Sequence, residues 1–394
     1  MRILVNAFVY LGEDAGSTHT IEVWRHHLHT LTDSVRLLFP QPDRNAYEQF
    51  KKTLDYTHVV FVPGTRRITA FSVLRKFKFI FSSIIYDLFC VWHAVIFKPD
   101  IIYIRSRYLS FAPIFYIILR KKFIIEVNGL AQHGATRFSK NRFVTATLRL
   151  HIFIERYFFK KACALICVTA KLTEVIKREY NILDNYYVVP NGVNTDHFKP
   201  ITSSQFKVSS EKIKFGFVGH CAPWQGMGEM IRALAQSWSS NMSLAVVGDG
   251  PARAQWEEIA SQYLPKGSYN FVGMVSYDDV PRYVASFDVC LAPFTLMRNE
   301  SIGLSPLKLF EYLASGKPVL TTCISGVGEL VKKYDTGVVA GDDSVNALKN
   351  ALLQMINRRN EWNAMGQRGR HLVERQYSWK KAAEKTIQIL YKYQ

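Results

Sequence analysis

Short apolar runs alternate with longer amphipathic stretches along all 394 residues, and a chain patterned this way buries its runs as parallel strands covered by helices. The fold class is therefore α/β. Strands are expected at 3–6, 34–39, 58–62, 101–104, 123–127, 164–169 and 187–189, then at 214–218, 243–247, 269–272, 289–292, 318–321 and 337–339. The series starts twice. Between the two lies a polar, turn-rich segment, P-N-G-V-N-T-D-H-F-K-P-I-T-S-S-Q at 190–205. The expected organisation is a Rossmann-like domain over 1–200, a second over 201–375, and a terminal segment 376–394 whose helix packs back on the first domain. A chain of this length carries two cores. Doubly wound sheets take ligands outside the carboxyl ends of their strands, so two such domains facing one another would make a central cleft.

Residues 301–318, S-I-G-L-S-P-L-K-L-F-E-Y-L-A-S-G-K-P, point to what that cleft binds. Ser305 suits an N-cap, Pro306 suits the first helical position, and Gly316 with Pro318 stops the helix. The free N–H groups of such a helix start bind phosphate, and Lys308 adds a full positive charge one turn inside. Glu311 lies on the same face, three residues on. An acid behind a phosphate cradle suits the ribose hydroxyls of a nucleotide. The alternative is an ordinary capped helix with an exposed Lys/Glu pair.

Charge narrows the partners. The net charge is +18, and residues 61–170 hold 18 Lys and Arg against four Asp and Glu. Within that region Arg75, Lys76, Lys78, Ser82 and Ser83 fall on one helical face and Val73, Phe77, Ile80, Phe81, Ile84 and Leu88 on the other. Such a helix either lies on an anionic membrane or packs on a sheet as a plain surface helix. Nucleic acid is not expected as a partner, since no helix-turn-helix, zinc-finger or RNA-binding signature is present. The apolar stretch 79–97 is interrupted by Asp87 and His93 and reads as a core helix feeding a strand. The first residues, M-R-I-L-V-N-A, read as a strand and not a signal peptide. The six cysteines are scattered through apolar segments and read as reduced, Cys163 and Cys167 included, which places the protein in the cytoplasm.

Several segments together resemble one family. P-N-G-V-N-T-D-H-F at 190–198, F-V-G at 217–219, W-Q-G at 224–226, V-V-G-D-G-P at 246–251, F-V-G-M-V at 271–275 and P-L-K-L-F-E-Y-L-A-S-G-K-P-V at 306–319 are similar to the donor half of family 4 retaining glycosyltransferases. The first half is similar more loosely, through M-R-I-L-V, K-P-D-I-I-Y at 98–103, E-V-N-G at 126–129 and I-C-V-T-A at 166–170. The resemblance implies the GT-B fold and transfer of a sugar from a nucleotide-diphosphate sugar to an acceptor hydroxyl with retention. It also implies no cofactor and no obligatory metal. Consistent with that, no Asp-x-Asp pair occurs in the chain to hold a divalent ion.

Carried over by the resemblance, Glu311 is the second acid of a Glu-x7-Glu motif and holds the donor ribose. Val272 and Gly273 meet the base, and Gly219 lets the chain approach the diphosphate. Gln225, Gly226, Arg298, Gly303, Leu304, Ser305, Pro306 and Leu307 complete the donor site, and Asn128, Lys308 and Glu311 form the catalytic set. Acceptor contacts are expected from Gly16, Ser17, His19, Arg105, Arg107 and His133; a surface charge pair is the equal alternative for the arginines, and His19 and His133 are the weaker candidates, reading first as surface histidines.

The chain departs from the family's pattern in three places. Gly303 stands eight before Glu311, so the first acid is absent unless a gap brings Glu300 into its place. Gln225 replaces a lysine that would bind diphosphate, leaving Lys308 or Arg298 to compensate. Asn128 replaces a histidine that touches the transferred sugar, and Asn hydrogen-bonds a hydroxyl without shuttling protons. G-D-G-P-A at 248–252 is no dinucleotide fingerprint, because Arg253 stands where the last glycine belongs. The expected setting is synthesis of a cell-surface polysaccharide or glycolipid on a lipid-linked or polysaccharide acceptor, at the inner face of the membrane. A nucleotide-sugar epimerase of the same shape and a non-catalytic membrane partner remain as alternatives.

Overall fold

The computed structural model describes residues 1–9, 20–25, 35–42, 47, 58–63, 65, 73–133, 142–182, 184–201 and 212–394. They form two compact units, Met1–Pro190 with Trp379–Gln394, and Asn191–Ser378.

In the first unit, β1 (Ile3–Asn6), β2 (Val35–Pro40), β3 (Val59–Val62), β4 (Ile101–Arg105), β5 (Phe123–Val127), β6 (Ala164–Cys167) and β7 (Tyr186–Val188) make one sheet in the order β3-β2-β1-β4-β5-β6-β7. Every pairing is parallel. Strands β1, β5 and β6 are buried along their whole length, which is why their sequences are continuous apolar runs without alternation. Helices α1 (Val73–Phe97), α2 (Ala112–Ile118), α3 (Arg142–Lys161) and α4 (Ala170–Tyr180) join the strands. In the second unit, β8 (Ile213–Val218), β9 (Met242–Val247), β10 (Tyr269–Gly273), β11 (Val289–Ala292), β12 (Val319–Thr322) and β13 (Gly337–Ala340) pair in the order β10-β9-β8-β11-β12-β13. Helices α5 (Met227–Gln236), α6 (Arg253–Tyr263), α7 (Leu307–Ala314), α8 (Val345–Asn357) and α9 (Trp362–Gln376) belong to it, and α10 (Trp379–Lys392) returns to the first unit.

Each expected run forms a strand, with ends displaced by two residues at most. Both strand orders reverse direction between two central strands, β1 and β4 in one unit, β8 and β11 in the other. Those reversal points open the crevices where doubly wound sheets bind ligands.

The break between the units falls at 190/191, not 200/201, because residues 191–198 are bonded into the second unit. Val193 donates its N–H to the Tyr377 carbonyl at 2.9 Å, Arg370 donates to the carbonyls of Thr195 and Phe198, and Phe198 is fully buried. The terminal helix joins the first unit through Lys392 Nζ to Tyr187 Oη at 2.8 Å and through Tyr393 Oη to Asn185 Oδ1 at 3.1 Å.

Helix α1 departs from the sequence reading. Ser82 and Ser83, read as part of the basic face, are buried, whereas Phe81, Ile84 and Leu88, read as the opposite apolar face that meets either a membrane or the sheet, are exposed. The side chains at 73–80 lie outside the described residues. The reason is the buried polar network beneath the helix. Arg107 pairs with Asp87 at 2.5 Å and donates to Ser83 Oγ, Phe111 donates its N–H to Asp87 at 2.7 Å, and Arg36 meets His93 Nδ1 at 3.2 Å. Burial, then the charge of Arg36, push the His93 pKa down to about 4, so the ring is neutral inside. The helix is not a core helix, and among the described residues no helix is long and apolar enough to cross a membrane.

Candidate active site

The second unit gathers its loops where its strand order reverses. Three of them, leaving β8, β9 and β10, are laced together by backbone bonds: Gly219 donates to the Val247 carbonyl at 2.9 Å, and Gly248 to the Gly273 carbonyl at 2.8 Å. Gly219 sits at φ +139° and Gly248 at φ +128°, both left-handed, and a Cβ on Gly248 would collide with the Gly219 carbonyl. The backbone is thus bare at the mouth of β8. A Cβ on Gly219 would lie 2.9 Å from Lys308 Nζ, so this lysine, from the first turn of α7, stands directly over the bare backbone.

Lys308 is buried, with Nζ 3.6 Å from the centre of the Phe217 ring and donating to Gln225 Oε1 at 2.9 Å. Aromatic face and amide oxygen hold the ammonium without a full counter-charge. Gln225 closes a short turn, Pro223–Gln225, and Gly226 at φ 72° leads into α5. This explains the departure at 225. A lysine there would set two cations within hydrogen-bonding distance, whereas glutamine accepts the bond that aims Lys308. Arg298 is close in the same cluster, its guanidinium 3.9 Å above the Trp224 ring and its pKa lowered by burial. Asn299 fastens that loop by donating to the Trp224 carbonyl at 3.1 Å.

Glu311 follows Lys308 by three residues on α7. It is half-buried, and its carboxylate has no hydrogen-bond or ion-pair partner among the described residues. Burial raises its pKa to about 7, against the lowering pull of Lys308, and burial lowers that of Lys308 to about 7, against the raising pull of Glu311.

The start of α7 differs from expectation. Pro306 is the N-cap residue, extended at φ −81°, ψ 132° and without a side-chain cap, and the helix begins at Leu307. Ser305 does not cap it, because its Oγ accepts the N–H of Asn191 at 2.9 Å and its carbonyl accepts Asn191 Nδ2 at 2.5 Å. With no cap oxygen over them, the N–H groups of Leu307 and Lys308 are left for a ligand, that of Leu309 going to the Pro306 carbonyl at 3.2 Å. The other end stops as read: Gly316 at φ 70° donates to the Leu313 carbonyl and Lys317 to that of Tyr312. Gly303 at φ 68° and Leu304 shape the approach to the helix, Leu304 donating to the Ser325 carbonyl at 3.0 Å. Glu300 accepts both the N–H and the hydroxyl of Ser325, at 2.9 and 2.7 Å, and so serves as a loop tether. Val272 and Gly273 end β10, one loop away from Gly219.

The family model described as Glycosyl transferases group 1 matches residues 198–372, and that described as Glycosyltransferase Family 4 matches residues 16–197. The chain belongs to the family 4 glycosyltransferases. An uncharacterized glycosyltransferase of Methanocaldococcus jannaschii is 21% identical over 88% of each chain. A GDP-mannose-dependent alpha-(1-6)-phosphatidylinositol monomannoside mannosyltransferase of Mycobacterium tuberculosis is 27% identical over 51% of this chain and 54% of its own. Among solved structures, Anabaena HepE in complex with UDP-glucose superposes with a TM-score of 0.73 over 100% of both chains at 16% identity. The two Rossmann-like units are those of a GT-B fold.

The expected acceptor residues of this glycosyltransferase belong to the first unit. Gly16, Ser17 and His19 lie outside the described residues. Arg105 is paired with Glu126, and the same carboxylate accepts Tyr103 Oη at 2.8 Å and Asn128 Nδ2 at 2.5 Å. Arg107 is paired with buried Asp87 and stacks 4.6 Å from the Phe8 ring centre. Both arginines are thus partnered inside the protein, and His133 is partnered at the surface, where its Nε2 meets Glu179 at 3.0 Å. Asn128 is held by one N–H and, among the described residues, keeps its amide oxygen and second N–H for other bonds. Sequence reasoning missed Phe217, Gln225's part in aiming Lys308, and Asn191. An apolar strand residue gives no sign that its ring supports a cation, and the Asn191–Ser305 bond spans more than a hundred positions.

Proposed function

We propose that the protein transfers a sugar from a nucleotide-diphosphate sugar to an acceptor hydroxyl with retention, building a cell-surface polysaccharide or glycolipid at the inner face of the membrane. The observation that carries this reading is Lys308 poised over the bare backbone at Gly219 with Glu311, unpartnered among the described residues, three positions on. The diphosphate binds at the α7 start and Lys308, and Glu311 accepts the ribose hydroxyls. As the bond from the anomeric carbon to the phosphate oxygen breaks, charge grows on the leaving diphosphate. Lys308 and the helix N–H groups stabilise that charge in a site shielded from water. The acceptor oxygen bonds to the same face of the carbon, and its proton passes to the leaving phosphate oxygen. Asn128 hydrogen-bonds a sugar hydroxyl and takes no proton.

The cation is a side chain, so the proposed reaction needs no obligatory metal, and turnover should survive a chelator. The relatives' names support a nucleotide-sugar donor, GDP-mannose in one and UDP-glucose in another, and one names a lipid-borne acceptor.

A thermal-shift screen of nucleoside diphosphates and their sugars tests the donor half, with stabilisation of about 2.7 kcal/mol expected at a hundredfold excess over the dissociation constant. Mass analysis of the product formed with membrane extract as acceptor, and the anomeric proton coupling in its NMR spectrum, test the rest. No shift with any nucleotide, together with unchanged cellular glycan in Glu311→Ala, would overturn the proposal. Sugar interconversion without acceptor would identify an epimerase instead.

A further inference from the structure

Helix α1 buries its polar side chains together with Tyr86, Cys90 and Ala94, and leaves a row of large apolar ones exposed. From 81 to 97 the exposed positions are Phe81, Ile84, Leu88, Trp92, Val95 and Ile96, while Ser82, Ser83, Asp87 and His93 are buried. Helix α2 packs against both α1 and α3, and it too exposes Ile114, Phe115 and Ile118, the last at 69%. On α3, Leu150, Phe153 and Tyr157 are exposed, Phe153 at 73%. Three neighbouring helices of one unit therefore each expose large apolar side chains, more than the scattered exposed leucine or isoleucine of an ordinary protein exterior.

We infer that this face of α1, α2 and α3 is a docking surface for an anionic lipid bilayer, lying in the headgroup layer with its aromatic and aliphatic side chains in the acyl boundary. Charge complementarity decides the occupant. The exposed charges on and directly after α2 and α3 are Arg120, Arg149, Arg156, Lys160 and Lys161, and the acids of these helices among the described side chains, Asp87 and Glu155, are buried. An apolar centre with a basic rim fits anionic headgroups around acyl chains. A second copy of the chain would set the same rim of cations against itself. The face cannot sink further, since its polar underside is bonded into the sheet through Asp87, Arg107 and His93. The surface lies parallel to the membrane without crossing it. This inference deepens the proposed membrane setting, yet it does not depend on the transfer reaction.

The test uses the whole chain and sedimentation with vesicles, either of phosphatidylcholine alone or of phosphatidylcholine mixed with phosphatidylglycerol. Wild type should sediment with the mixed vesicles, and added salt should weaken the binding. Ile118→Glu with Phe153→Glu, both at highly exposed positions, should bind roughly tenfold more weakly or worse, with an unchanged circular dichroism spectrum and an unchanged nucleotide thermal shift. Arg149→Gln with Arg156→Gln should lose most of the preference for phosphatidylglycerol. Wild type left in the supernatant with mixed vesicles, or a Glu variant that still sediments fully, would overturn the inference. So would a concentration-dependent dimer in solution that the Glu variant abolishes. Vesicle binding without sugar transfer would refute the proposed reaction and leave the docking surface standing.

Discussion

Lys308 is where chemistry and stability pull in opposite directions. Its ammonium is desolvated over Phe217 and is held by an amide oxygen, with Glu311 one turn on, so protonation is costly until a diphosphate arrives. Raising pH through about 7 removes the proton, and donor affinity should fall across that range. Calorimetric titration of nucleoside diphosphate at several pH values checks this, and Lys308→Arg, charged throughout, should flatten the dependence. Lys308→Ala should slow transfer by about a hundred- to a thousandfold with the fold intact, as removal of a transition-state donor does. Unchanged turnover would demote it to a bystander.

The same pair sets a stability profile. Folding lowers the Lys308 pKa from 10.5 to about 7, so its penalty is full below pH 7 and fades as pH rises toward 10.5. Folding raises that of Glu311 from 4.5 to about 7, so its penalty is absent below 4.5 and complete above 7. Both act near neutrality. Lys308→Met with Glu311→Leu should therefore melt no lower than wild type at neutral pH while losing nucleotide binding, read by thermal unfolding with and without ligand.

At the scale of elements, α7 and α1 show how a helix is placed by what it is bonded to. Asn191 grips the Ser305 backbone and hydroxyl, so α7 starts at Leu307 with its first N–H groups uncapped. Asn191→Ala removes the amide bond and should cost about 1 kcal/mol, with weaker nucleotide binding, by denaturation and titration. Under α1, Asp87 and Arg107 form a buried pair with 3% and 10% of their side chains exposed. Asp87→Ala would strand the guanidinium and should destabilise the first unit by about 3–5 kcal/mol, visible in a denaturant midpoint. An i, i+3, i+4 pattern shows that a helix has two faces but not which one meets the sheet. In α1 the polar face went inward because Arg107 and Arg36 were waiting beneath it.

At the scale of the whole molecule, the chain builds two parallel sheets and then returns its last helix to the first. Truncation after Ser378 should raise hydrogen exchange in β6 and β7 and leave the nucleotide-dependent protection of α7 intact, since the bonds of α10 run to Tyr187 and Asn185. The alternation of apolar and amphipathic segments was sufficient to read every strand, the two-unit plan and the helix at 307–314, because each depends on local pattern alone. The motifs carried the family and singled out Lys308 and Glu311, which the structure places three residues apart on α7. The unit boundary, the N-cap of α7, the bond by which Gln225 aims Lys308 and the inverted faces of α1 were settled only in three dimensions. Each depends on which distant polar group reaches a buried donor or acceptor first, and a one-dimensional pattern holds no distances.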